Sequence, residues 1–146
     1  MEIQPKNMSD EEKALCRKAI ADYKMIRQIV QFGDIYRLVS PYDKLGVASL
    51  MYVSSEKDKA AFYWWKMESF FNQHLPRVKM AGLDAKKMYR VHELNRIDNE
   101  PLSFEGKVFS GSYLMNNGLD IPYIHKIDSD KMSDYASRVL YLEEVK

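Results

Sequence analysis

The groups in this chain that could do chemistry are carboxylates, three imidazoles, one thiol, hydroxyls beside a glycine, and a run of aromatics. Cleavage of a glycosidic bond needs two carboxyl groups, one as acid and one as nucleophile or base. Two pairs are close in sequence, Asp128 with Asp130 and Glu143 with Glu144. The first falls in a polar stretch where water would solvate it. The second ends the last predicted strand, where alternation sends neighbouring side chains to opposite faces. Neither pair is expected to catalyse. His74, His92 and His125 stand far apart, without the His-x-x-x-His spacing of a metal site. His92 alternates within a predicted strand and reads as a hydrogen-bonded histidine. Cys16 is the single cysteine, which excludes an intrachain disulfide. It lies inside a predicted helix with no histidine nearby in sequence to activate it, and reads as a small hydrophobe. Ser110-Gly111-Ser112 lacks the Gly-x-Ser-x-Gly frame of a nucleophile elbow and reads as a turn. The glycines are scattered singly, so no phosphate-cradling loop is present. Catalytic, cofactor-binding and metal-binding residues are therefore all expected to be none.

The run Phe62-Tyr63-Trp64-Trp65 is the one candidate ligand surface. In a strand, Phe62 and Trp64 face one way and Tyr63 and Trp65 the other. One set can fill a core, and the other must meet a second surface. The sharp reading makes Tyr63, Trp64 and Trp65 a sugar-stacking platform, because flat aromatic faces suit pyranose rings. The plainer and favoured reading covers both faces with protein. Phe70-Phe71 adds apolar surface that also needs a cover.

The elements that must position these groups change character near Gly33. Ser9-Asp10-Glu11-Glu12 is a capping box, with acidic residues at the positive end of a helix. Asn7-Met8-Ser9 matches a glycosylation acceptor pattern but coincides with this cap. Leu15, Ala19, Tyr23, Ile26 and Val30 recur at the spacing of one helical face, widened by Ile20 and Ile29. Lys13, Arg17, Lys18, Lys24 and Arg27 occupy the other face. The helix is predicted over residues 10–31, stopped by Gly33 in a positive-φ conformation. Beyond it the period is two. Strands are predicted over 36–40, 47–53, 59–67, 77–80, 88–94 and 137–143, and residues 104–113 contain a strand broken by Gly106 and Gly111, with turn signals about every ten residues. The fold class expected is mainly β, an antiparallel Greek-key-like β-sandwich preceded by one long N-terminal helix. A long apolar stripe must be buried against something. A small sandwich fills its core from its own sheets. The helix therefore packs outside a sheet, or its natural partner lies elsewhere.

Composition narrows the partners. The chain has 146 residues, 46% hydrophobic and 29% charged, enough for one domain with a core. A net charge of +1, with no basic cluster, gives no field for nucleic acid or an anionic membrane. No apolar run approaches transmembrane length, and no secretory signal is visible.

The helix and its exit carry a resemblance. Ser9-Asp10-Glu11-Glu12-Lys13, the stretch from Ile20 to Arg27, and Ile29-Val30-Gln31-Phe32-Gly33-Asp34-Ile35-Tyr36-Arg37-Leu38 resemble the end of the catalytic barrel in bacterial α-galactosidases of glycoside hydrolase family 36. Gly82-Leu83-Asp84 with Tyr89-Arg90-Val91, the segment Gly111 to Leu119, and Ser137-Arg138-Val139-Leu140 are similar to later segments of the same family. The resemblance covers nearly the whole chain and is strongest over residues 9–40. It implies that residues 1–34 are the last helix of a (β/α)8 barrel, and 35–146 a C-terminal antiparallel β-sandwich domain. It implies a parent that hydrolyses terminal α-D-galactosides with retention, through a covalent glycosyl-enzyme intermediate. The family's catalytic aspartates lie on barrel strands upstream, so this chain is expected to be an inactive accessory domain that buttresses the barrel and needs no cofactor. The alternative is a carbohydrate-binding module using the aromatics around Tyr63–Trp65. The partners implied are the barrel of the parent chain, an α-galactoside or polysaccharide, and a second copy in a homo-oligomer. The implied setting is bacterial, cytoplasmic or periplasmic, with the native N-terminus upstream of the residues given.

Overall fold

The computed structural model describes residues 4–68, 75–96, 101–121 and 136–145. His74, His125, Asp128, Asp130, Phe70 and Phe71 lie outside the described residues. After a short 3-10 turn at Pro5–Asn7 comes the long helix α1, Asp10–Phe32. Six strands follow among the described residues: β1 Asp34–Val39, β2 Val47–Val53, β3 Lys59–Lys66, β4 Met88–Glu93, β5 Val108–Ser110 and β6 Ser137–Glu144. A short helix α2, Gly111–Asn116, lies between β5 and β6. The mainly antiparallel β domain with one long N-terminal helix is the architecture expected from the sequence.

The strands form one antiparallel sheet in the order β1-β2-β3-β6-β4-β5. β6 returns from the end of the chain to sit between β3 and β4, so the two hairpins are joined by the last strand. Phe62 stands opposite Leu140, and Val91 opposite Leu142. One sheet face carries the main core: Met51, Phe62, Trp64, Tyr89, Leu140 and Leu142 are fully buried there. Burial of each such side chain stabilises by about 1.5–3 kcal/mol. The cover over this face comes from residues 75–84 and 101–121, which contribute Val78, Met80, Leu83, Phe104, Leu114 and Leu119. Val78 and Leu119 exchange backbone hydrogen bonds of 2.9 and 3.0 Å, and the Met80 N–H donates to Leu114 O at 3.0 Å. Of the strand expected at 77–80, among the described residues, the single bridge at Val78 forms.

Within residues 104–113, expected to contain a strand broken by Gly106 and Gly111, the strand is the short β5 between those two glycines, and α2 follows from Gly111. Ser110 ends the strand because its Oγ accepts the Tyr113 N–H at 3.1 Å, a helix N-cap. The Ser110-Gly111-Ser112 triplet is thus a helix start and not a turn.

The capping box is present: Ser9 Oγ accepts the Glu12 N–H at 3.1 Å, and the Ser9 N–H donates to Glu12 Oε2 at 2.7 Å. At the other end Gly33 stops α1, but not through positive φ. Its φ is −80° and ψ 166°, already the extended backbone of β1. Glycine is needed there because a β-carbon would lie 2.5 Å from both Ile29 O and Val53 O. The end of α1 is pressed directly onto β2.

On the second sheet face, Ile26 and Ile29 of α1 pack with Ala61, Leu94 and Tyr141, flanked by Val30, Tyr52, Tyr63 and Val139. Only the C-terminal third of the helix is anchored this way. Farther up, the Lys18 ammonium donates to Leu94 O and pairs with Asp22.

Candidate functional site: the corner between helix and sheet

The alternation read in Phe62–Trp65 is what the strand adopts, and it divides the three candidate stacking residues. Trp64 points into the main core and is 1% exposed. A ring with no free face cannot stack a ligand, so Trp64 leaves the platform. Tyr63 and Trp65 point to the helix side. Their rings are stacked at 5.7 Å and 11°, and Tyr52 meets Tyr63 edge-on at 6.1 Å. Tyr63 is half-buried beside α1. Burial raises the pKa of its hydroxyl, and neighbouring Tyr52 and Tyr23 push it the same way. Trp65 is 36% exposed. A shallow hollow of about 390 Å³ opens beside it, walled by Pro41, Ala48, Lys66, Met67 and Ala136 and almost wholly apolar.

The helix side of this corner is uncovered. Leu15 is 67% exposed and Tyr23 48%, although both belong to the stripe whose Ile26 is buried. Ile20 on the same half of α1 is also exposed. The stripe expected from the sequence is therefore satisfied at its C-terminal end and unpartnered toward its N-terminal end.

The remaining candidates take structural places. Glu144 pairs with Lys87 at 3.0 Å, and Glu143 stands opposite Arg90 in the β4–β6 ladder. That register puts the two glutamates on opposite faces, with neither facing a shared substrate space. His92 Nδ1 is 3.1 Å from Glu105 Oε1, the hydrogen-bonded histidine expected. Cys16 is a half-buried free thiol on α1. Among the described residues, no group of three or more His, Cys, Asp or Glu side chains is arranged to hold a metal ion.

One charged cluster escaped sequence reasoning. Glu93 and Arg138 are both buried, and Arg138 Nη1 donates to Glu93 Oε1 at 2.5 Å. Arg96 Nε stands 3.8 Å from Glu93 Oε2, too far for a hydrogen bond, while its Nη2 is 3.5 Å from Glu105 Oε2. Glu105 Oε2 also accepts the Glu93 N–H at 2.8 Å. The signal was present in the period of two: Glu93 shares a strand face with Tyr89 and Val91, so a carboxylate was headed for the core and needed a cation. The cluster pins the end of β4, where the Lys18 ammonium of α1 is tethered to Leu94 O.

Comparison with known proteins now bears on this corner. Residues 47–142 match the family model of the glycosyl hydrolase family 36 C-terminal domain. The chain is 29% identical over 144 residues to probable alpha-galactosidase G of Aspergillus terreus, and 28% identical to alpha-galactosidase AgaA of Geobacillus stearothermophilus. Each alignment covers 99% of this chain but 17% of the relative. Among solved structures, the AgaA crystal structure superposes with a TM-score of 0.76 at 27% identity, again over 99% of this chain and 17% of the other. A double variant of AgaA crystallised in complex with raffinose superposes at 0.74 and 26% identity, over 97% of this chain and 17% of that one. The chain therefore spans about a sixth of the length of the relatives it matches.

Proposed function

This chain belongs to the glycosyl hydrolase family 36 C-terminal domains, and from that membership we propose that it is the non-catalytic accessory part of an α-galactosidase. The parent hydrolyses terminal α-D-galactosides with retention on a (β/α)8 barrel that precedes these residues. Residues 1–34 belong to that barrel as its last helix, and residues 35–146 form the domain that buttresses it. The observation that carries this reading is the half-covered helix. The family match begins at Val47, beyond α1, and the stripe of α1 meets the sheet only from Ile26 onward. The exposed Leu15 and Tyr23 stand where a barrel wall would pack. No residue here is assigned a catalytic role, and the carboxylates that drew attention in the sequence are ion-paired, set on opposite sheet faces, or outside the described residues.

A chromogenic α-galactoside tests the proposal. The 146-residue chain alone is expected to release no chromophore. The parent lacking residues 35–146 is expected to lose thermal stability together with activity. Turnover by the isolated chain would make it an enzyme in its own right, and a truncated parent of unchanged stability and rate would remove the buttressing role.

A further inference from the structure

Resting on that reading of the chain as the C-terminal part of a barrel enzyme, we propose that Trp65 and the hollow beside it seat an apolar side chain from the preceding domain. The barrel then grips this domain at two places, on α1 and on the sheet face next to it.

Three observations converge on this occupant. The first is continuity. Tyr23 is exposed on α1 and influences Tyr63, and Tyr63 stacks on Trp65, which opens on the hollow bounded by Met67. Tyr63 packs against the Ile26–Ile29 cluster of α1 and on Trp65, so one aromatic row joins the helix to the hollow. The second is chemistry. A sugar needs several hydrogen-bonding partners for its hydroxyls, and a polar group buried without them is costly. The wall here is almost wholly carbon, and its one charged member, Lys66, is buried in the sheet and already engaged. An apolar side chain suits this wall and a pyranose does not. The third is rigidity. One face of Trp65 is held by Tyr63, so the ring is fixed before anything binds, as aromatic anchors at interface centres are. The preceding domain is favoured over a second copy by length. The relatives carry about five-sixths of their chain outside the part matched here, and the matched model is that of a C-terminal domain, so the preceding length is tethered close to α1.

The experiment uses the full-length parent with p-benzoylphenylalanine placed at the position of Met67, of Met88, or of Tyr23. Met67 and Met88 are each 42% exposed here, but Met88 lies on β4, far from the corner. Irradiation at Met67 is expected to give an intramolecular link to a peptide of the preceding domain, at a yield about tenfold or more above that at Met88. Links only to peptides of residues 1–146, a yield no higher than at Met88, or links between isotopically distinct copies would each overturn the proposal. The Tyr23 probe reports the underlying reading separately. Links from Tyr23 to the barrel without links from Met67 defeat this inference alone, whereas failure at both positions defeats the barrel-docking function as well.

Discussion

Replacing Gly33 by alanine tests how the helix is joined to the sheet, because two lines of reasoning give opposite signs. If Gly33 were only an extended linker residue, φ of −80° would suit alanine. The substitution would then stabilise by about 0.4–1 kcal/mol, by reducing the freedom of the unfolded chain. The packing says otherwise. The added β-carbon would sit 2.5 Å from Ile29 O, 2.5 Å from Val53 O and 3.0 Å from Val53 C. Both oxygens belong to backbone that cannot rotate aside. Ile29 O accepts the Gly33 N–H at 2.8 Å, and Val53 stands opposite Asp34 in the β1–β2 ladder. Relief requires the end of α1 to lift from β2, and overpacking of this kind costs about 1–3 kcal/mol. Subtracting the entropic gain leaves a net loss of about 0–2.6 kcal/mol, centred near about 1.3 kcal/mol, a fall in Tm of roughly 3–5 °C at that centre for a chain of this size. Thermal unfolding followed by circular dichroism reads it directly. Gly106→Ala is the contrast: nothing lies within 4 Å of its β-carbon, but its φ is +69°. It should lose roughly 1 kcal/mol through backbone conformation alone. A Gly33→Ala chain that unfolds at a higher temperature than the parent sequence would refute the contact at the junction.

The buried pair of Glu93 and Arg138 gives a second test. Glu93→Ala leaves Arg138 buried beside a lost partner and should cost about 3–5 kcal/mol in urea unfolding, whereas Glu93→Leu with Arg138→Met should fall within about 1 kcal/mol of the original. A single variant that loses under about 1 kcal/mol would show the pair to be dispensable. A third concerns alkaline pH. Burial is the first cause that raises the pKa of Tyr63, Tyr89 and Tyr141 above the usual value near 10. Their neutral forms favour the fold, so this contribution is complete below about pH 10 and is lost as pH rises through the higher folded values. Tm should fall above pH 10, with part of the phenolate absorbance appearing only on unfolding. Tyr63→Phe should lessen that fall, and a Tm indifferent to pH up to 11 would contradict it.

Much of the fold was legible because strong local signals agreed with the tertiary structure. The capping box set the start of α1 at Ser9, and the period of two placed β2 and β3 and separated Trp64 from Tyr63 and Trp65. What failed was decided by groups distant in sequence. Gly33 looked like a positive-φ stop because that is how helices commonly end, yet its requirement comes from Val53, twenty residues away. The breaks read at Gly106 and Gly111 do bound β5, but Ser110-Gly111-Ser112 read as a turn, whereas the serine cap starts α2 there and Leu114 is held in the core from that helix. The cover over the main core is mostly irregular backbone, and a sequence pattern carries little trace of that. Of the candidate site, Tyr63 and Trp65 were legible as a surface and Trp64 was not, since alternation alone does not say which face is the core.

The helix itself carries the argument one step further. Its 23 residues span about 34 Å, yet the sheet buries only Ile26 and Ile29 and half-covers Val30. An unsupported helical stretch of this length is marginal in water, because helix stability comes chiefly from packing of an apolar face. The cap at Ser9, the Lys18–Asp22 pair and the Lys18 contact with Leu94 O add tenths to about one kcal/mol each. Those contributions are small beside the burial of an apolar stripe, at about 1.5–3 kcal/mol per side chain. A free-standing domain would gain by making Leu15, Ile20 and Tyr23 polar. Their exposure together on α1 is what the proposed packing against a preceding barrel would account for.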